Sequence, residues 1–521
     1  MKSRLSYFLI SGIIITSFLI GIFIWRNKNI NEVSQPNQTS YTTPISAKYI
    51  PENAELVFHW KINPTILPSY LESFQGKINK NITSKKVSLI RDSSLKLISL
   101  DFERDISKWV GEYGSFALFN TKNHSLDDWL MVLDINKNLN PEDVLETILI
   151  EKNVNENVDY SNKLNISKSK IINSNQSIYF LNDKNHILVS SNPEILKLSI
   201  NKIGINKLST KEKYKDIKLK DNLNDGILLF ETSPNKIFDL IGQEKDIFEL
   251  NKANKLISSI NVENKQLSIE GILSFDIKKE NIGNGLSYYL IDKEKQLQSF
   301  NDYILIDNPK QYFGSNSKHP FQKLVTSVIQ NAITTDYSNL FKIILQNTTG
   351  NLIWLNDKEW LTLTNKSDTN KKEINDILKQ DKFISSNLDF QNKNLEIWSK
   401  FTTIENEKVE LKESIEAIIQ ENKDVYLWSQ NLSSISNFSN EDYLANNISN
   451  NDSEEEINDF NEIIRIHLGK EKTEVFLNNF YPYILLRTML GNKLDFPKNI
   501  DISVATPTIN YPDFVKFKIN L

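Results

Sequence analysis

The sequence predicts an α+β fold: an N-terminal transmembrane helix, then two related modules with largely antiparallel sheets and packed helices. Three observations carry this expectation. Leu5 to Trp25 is apolar without a single charge. Beyond Tyr49, short apolar runs repeatedly end in Asn-Pro or Ser-Pro before a helical pattern begins. Neighbouring strand-like runs are joined by turns too short for the crossover that parallel strands need.

The first element is the anchor. Twenty-one residues at 1.5 Å each make a helix of about 31 Å, close to the roughly 30 Å of a bilayer's hydrocarbon core. A cleaved signal peptide would carry an apolar region of about 7 to 15 residues ending in small side chains. Here the stretch is longer and ends in Phe23, Ile24, Trp25 and Arg26, so an uncleaved anchor is expected. Lys2, Arg4 and the α-amine slightly outweigh Arg26 and Lys28, which places the N-terminus inside and the remaining chain outside the cytoplasm. Residues 1–4 are a flank, and the polar stretch 26–48 reads as a flexible tether.

The strand–Pro–helix units come next. They are Leu56–Trp60 with Asn63-Pro64, Trp129–Ile135 with Asn140-Pro141, and His186–Ser190 with Asn192-Pro193. Ile227–Phe230 with Ser233-Pro234 and Tyr303–Ile306 with Asn308-Pro309 complete the set. Asn or Ser can cap the free amides of a helix start, and Pro in the first turn loses no hydrogen bond. Two hairpins stand between these units: Ser115–Phe119 with Trp129–Leu133, and Ile178–Leu181 with Ile187–Ser190 around the turn Asn182–Asn185.

A larger repeat is expected, with modules at 49–280 and 281–521. Leu56–Trp60 is echoed by Tyr303–Ile306, Gly111–Leu133 by Gly350–Leu363, and Ile227–Phe230 by Val425–Trp428. Each half closes on a helix and a strand pair, Ile257–Phe275 and Ile502–Ile519.

Composition narrows the function. With 39% hydrophobic and 24% charged residues the chain is globular rather than disordered. A net charge of −5, with lysines interleaved among acids, lacks the basic stripe of a nucleic-acid binder. The absence of cysteine excludes disulfides, thiol catalysis and Cys-ligated metals.

Tyr49-Ile50-Pro51, Asp105 to Glu112 (Asp-Ile-Ser-Lys-Trp-Val-Gly-Glu) and Ser190 to Leu196 (Ser-Ser-Asn-Pro-Glu-Ile-Leu) carry a resemblance. Over most of the chain beyond Tyr49 the sequence resembles the cyanobacterial domain-of-unknown-function family DUF3352, whose members are membrane-anchored. The second half follows the pattern more loosely, without an equivalent of the Trp-Val-Gly segment. The resemblance implies an envelope or thylakoid location and carries over no catalytic residue.

No catalytic signature stands out. His59, His124, His186, His319 and His467 fall in no close metal-ligand spacing and read as ordinary hydrogen-bonded or surface histidines. Gly283 and Gly285 start a phosphate-loop pattern that Tyr288 breaks, and no GxSxG elbow exists. Asp452, Glu454, Glu455, Glu456, Asp459 and Glu462 lack the alternation and central glycine of a calcium loop, and read as a solvated helix start. Asp127 and Asp128 lie in a hairpin loop; such a carboxylate pair suits glycoside hydrolysis only at the right separation. Val475 to Leu490, with Phe476, Phe480, Tyr481 and Tyr483, reads as a core helix, with a partner-facing or membrane-lying helix as the alternative.

The expectation is therefore a membrane-tethered, non-enzymatic interaction or assembly protein whose lipid contact is Leu5 to Trp25. The alternative is a divergent hydrolase or ligand-binding protein with a site assembled from scattered residues. No cofactor, metal or nucleic acid is expected. The soluble region is expected in the periplasm or lumen, beside a plasma or thylakoid membrane.

Overall fold

The computed structural model describes residues 45–61, 101–119, 128–151, 156–160, 164–170, 177–201, 228–232, 253–263, 266–275, 300–315, 317, 322–333, 339–356, 359–405, 409–437, 460–479, 497–507 and 514–520. Two compact units form. Leu5 to Trp25 lies outside the described residues, and no described helix is long and apolar enough to cross a membrane.

The first unit opens with a 3-10 helix, Ile45–Tyr49. Its strands are β1 (Ala54–Lys61), β2 (Val110–Phe119), β3 (Asp128–Ile135), β4 (Glu156–Tyr160), β5 (Leu164–Lys170), β6 (Ser177–Asp183), β7 (His186–Ser190), β8 (Leu228–Thr232), β9 (Ala253–Glu263) and β10 (Gln266–Phe275). They lie side by side in the order β10-β9-β8-β1-β2-β3-β7-β6-β5-β4, antiparallel from β9 to β4. Both predicted hairpins are present as β2–β3 and β6–β7. The second is tighter than expected: Asp183 already pairs with His186, leaving Lys184 (φ 54°) and Asn185 as the turn. His-Ile-Leu-Val-Ser in β7 is buried at every position, as suits a central strand covered on both faces.

Helices α1 (Pro141–Glu151) and α2 (Pro193–Asn201) start on the prolines of the Asn-Pro pairs. Asn140 and Asn192 accept from the amides of Glu142 (3.3 Å) and Glu194 (3.0 Å), the expected capping role. Asn63-Pro64 and Ser233-Pro234 fall outside the described residues.

The second unit has β11 (Asp302–Ile306), β12 (Leu352–Asn356), β13 (Trp360–Asn365), β14 (Ile384–Phe390), β15 (Lys393–Glu405), β16 (Val409–Asn422), β17 (Val425–Ser429), β18 (Phe460–Leu468), β19 (Ile500–Pro507) and β20 (Phe514–Asn520). Their order is β20-β19-β18-β11-β12-β13-β17-β16-β15-β14, antiparallel throughout. Strand for strand, this is the order of the first unit. One echo is corrected by it. Val425–Ser429 occupies the place of His186–Ser190, and the counterpart of Ile227–Phe230 is Phe460–Leu468. Apolar runs of similar length look alike locally; only the pairing partners tell them apart.

Its helices are α3 (Lys310–Phe313), α4 (Gln322–Ile333), α5 (Asn339–Gln346), α6 (Lys371–Gln380), α7 (Leu432–Asn437) and α8 (Lys470–Asn479). At Asn308-Pro309 the backbone turns through φ 44° at Asn308, and Pro309 precedes the short α3. A bulge where β15 meets β16 inserts Glu416, whose carboxylate accepts from Leu340 N at the start of α5 (3.1 Å). In α8, Phe476 and Leu477 are buried and Val475 is exposed, a core-facing helix over its described length; residues 480–490 fall outside it.

Equivalent faces of the two sheets carry the cores. Val57, Ala117, Leu130, Val132 and Leu188 gather with Tyr49, Ile50, Ile195 and Leu196 in the first unit. Tyr303, Leu355, Leu361, Leu363 and Leu427 gather in the second. At roughly 25 cal/mol per Å² of apolar surface removed from water, such clusters are the main stabilising term.

One expectation is revised. Ile45 to Lys48, read as the end of the tether, form most of a 3-10 helix of the first unit. Ser46 is fully buried and Ala47 is 2% exposed.

Candidate functional site

Strand alternation carries β1, β2, β3, β7 and β6 across one face, where the apolar cluster ends in a polar row. Asp134 of β3 and Asp183 of β6 both stand opposite His186 of β7, giving Asp–His–Asp across three neighbouring strands. The 3-10 helix lies over this face. Tyr49 OH donates to Asp183 Oδ2 (2.7 Å) and stands 3.4 Å from His186 Nδ1, with the two rings 4.9 Å apart. His186 Nε2 is 3.1 Å from Asp134 Oδ1, an ion-pair distance whose angle falls short of a hydrogen bond. Lys48 sits 4.7 Å from the centre of the Tyr49 ring.

Burial raises the Tyr49 hydroxyl far above its ordinary pKa, and the Asp183 hydrogen bond adds to the effect. The phenol is thus held as a neutral donor, which suits a clasp and not proton exchange. Burial and the nearby Lys184 charge lower the Lys48 ammonium pKa, opposed by Asp183 and Asp134.

A second polar group lies on the same face. Ser46 Oγ and Ser115 Oγ are 2.7 Å apart, and Ser115 Oγ is 2.7 Å from His59 Nδ1. All three residues are buried, and His59 Nε2 meets no partner among the described residues. Burial pushes His59 down to about 4, so it stays neutral near pH 7. In the second unit Leu305 and Ile353 hold the places of His59 and Ser115. Polar groups at these positions are therefore particular to the unit that receives the 3-10 helix.

Gly111 supports the row from below. A Cβ there would stand 2.9 Å from Asp134 Cβ and 3.0 Å from Ile135 O, so only glycine lets β2 approach β3 this closely.

The other candidates are scattered. His467 pairs with Asp501 (2.6 Å) and stacks on Tyr303, all in register across β11, β18 and β19 of the second unit. Asp128 accepts from Asn192 Nδ2 (3.0 Å) and Ser191 Oγ (3.3 Å), which fastens a corner rather than pairing it for hydrolysis. The second unit repeats that corner with Glu359, which accepts from Ser433 Oγ (2.6 Å) and from Asn431 Nδ2. Glu462 forms an ion pair with Arg465 (2.6 Å). Asp127, His124, His319, Gly283, Gly285 and Asp452 to Asp459 fall outside the described residues. Among the described residues no group of three or more His, Asp or Glu could hold a metal ion.

Sequence reasoning missed the polar row. Asp134 and Asp183 carry no local signal, because only strand pairing brings them to His186. Tyr49 stood out as the start of a motif, without a role.

The family whose sequence model matches residues 8–521 is described as "Protein of unknown function (DUF3352)". No curated protein matches the chain. Among solved structures it is similar to "Structure of crystal form IV of TP0453", at 8% identity and a TM-score of 0.27, covering 44% of this chain and 79% of that one. It is similar also to "Structure of crystal form III of TP0453", at 7% identity and 0.25, covering 51% and 89%. Likenesses this distant do not inform function.

Proposed function

The chain belongs to the DUF3352 family of proteins of unknown function, and from that premise we propose that it is a membrane-tethered, non-enzymatic interaction or assembly protein. Leu5 to Trp25 is its anchor, and the two units stand in the periplasm or lumen beside a plasma or thylakoid membrane. The observation that carries the reading is the clasp. The chain leaves the polar tether and within a few residues is locked to the sheet through Ser46 and Tyr49. A load on the tether reaches those hydrogen bonds first, so they resist peeling of the chain from the sheet. The polar groups serve this attachment: Tyr49 is held as a donor, and His59 is buried and neutral.

Three measurements test the proposal. Protease added to the extracytoplasmic face of sealed membranes should digest both units; protection until the cytoplasmic face is opened would reverse the orientation. Crosslinking in native membranes, then affinity isolation, should recover specific protein partners. Turnover of a small substrate by the purified chain, lost on a point substitution, would favour the hydrolase reading instead.

A further inference from the structure

The last strand of the second sheet, β14, is unlike a protected edge. It pairs with β15 along one side, and six of its seven residues are exposed. Natural edge strands are usually blunted by lysine, proline, bulges or brevity. Ile-Ser-Ser-Asn-Leu-Asp-Phe has none of these and one charge, Asp389. Its counterpart in the first unit, β4, is shorter and carries two acids in five residues, Glu-Asn-Val-Asp-Tyr.

The hairpin is also tightly turned. Lys382 (φ 66°) turns the chain out of α6, and Gln391 and Asn392 (φ 51° and 62°) form a two-residue turn of the kind that matches strand twist. Four of the seven exposed large hydrophobic side chains among the described residues lie on this ribbon: Ile384, Leu388, Phe401 and Ile415. Register puts them on one face. Ile384 and Ile415 flank Ser399 in one cross-strand row, Phe401 is two residues beyond Ser399, and Leu388 stands beside the buried Leu395. The face continues the second unit's core into solvent.

We propose that β14 pairs antiparallel with β14 of a second copy of this chain, about a two-fold axis at Asn387. The strand is self-complementary in that register. Ile384 meets Phe390, Ser386 meets Leu388, Ser385 meets Asp389 and Asn387 meets itself. No like charges stand opposite each other, and all seven residues gain a ladder partner. The apolar faces of the two ribbons become one surface. The proposal rests on the reading of the chain as an interaction protein in one respect: it names a partner and a surface.

The natural absence of cysteine makes the register directly testable on the full-length chain in detergent. Directly opposed residues in an antiparallel pair lie about 4.5 to 5.5 Å apart at Cα, within disulfide range. Asn387→Cys should therefore oxidise to a covalent dimer. Ser385→Cys alone should not, because its copies would sit four positions apart along the strands, about 13 Å at 3.3 Å per residue. Ser385→Cys mixed with Asp389→Cys should crosslink. Adding Leu388→Lys to Asn387→Cys should cut the yield at least tenfold. A single-chain mass by light scattering at tens of micromolar, without crosslinking of Asn387→Cys, overturns the pairing. Equal crosslinking of Ser385→Cys alone overturns it as well. A monomer that still retrieves other proteins from membranes would leave the tethered interaction reading standing and sink this one.

Discussion

Acid should destabilise the first unit through His59, and the size of the effect can be worked from its surroundings. The side chain is buried, its Nδ1 at Ser115 Oγ and its Nε2 without a partner among the described residues. Burial lowers its pKa from 6.5 to about 4. The folded state thus binds the proton more weakly than the unfolded chain. Stability from this residue is complete above pH 6.5, falls as pH drops below it, and levels off below about 4. The full span is about 3 kcal/mol, at 1.36 kcal/mol for each tenfold change in proton affinity. Between pH 7.5 and 5.0 the loss is about 2 kcal/mol. His59→Asn is the comparison: its amide can meet Ser115 in either hydrogen-bonding role and does not titrate. Its cavity costs a pH-independent amount, so the difference between wild type and variant isolates the histidine. Urea unfolding of both proteins at the two pH values would measure it. With a slope near 2 kcal/mol per M, the gap between midpoints should change by about 1 M. A gap that stays constant would refute the buried, neutral histidine.

Tyr49→Phe removes the donor to Asp183 and should cost about 1 to 3 kcal/mol; limited proteolysis should then cut near Tyr49, where wild type is resistant. Gly111→Ala should cost about 1 to 3 kcal/mol, because the new methyl meets Asp134 Cβ at 2.9 Å and backbone at 3.0 Å; a thermal melt would show it. Asn192→Ala and Asn431→Ala remove equivalent caps, on Glu194 N and Ser433 N, and should each cost about 1 kcal/mol. Hydrogen exchange by mass spectrometry should place each loss in its own unit.

Much of the architecture was legible because its signals are local. Proline cannot donate, so Asn140-Pro141 and Asn192-Pro193 mark helix starts whatever surrounds them. Alternation and short turns disclosed the β2–β3 and β6–β7 hairpins, and the paired openings at Leu56 and Tyr303 pointed to equivalent strands. The long ribbon β14–β16 went unread, as did the true counterpart of Ile227–Phe230. An apolar run states that it will be buried, not beside which strand.

The sequence by itself determined the α+β class, the antiparallel pairing of near neighbours, the capped helix starts and the lack of thiol chemistry. Each follows from steric or hydrogen-bonding rules that act over a few residues. Tertiary structure alone decided that Ser46 and Tyr49 clasp the first unit, since their partners lie 69 and 134 residues away. It alone made His59 a buried, neutral base while Leu305 fills the same place in the second unit. Among the described residues, it alone left β14 paired along one side only. Contacts across such separations depend on the register of whole strands, and register is settled by the summed burial of a sheet face.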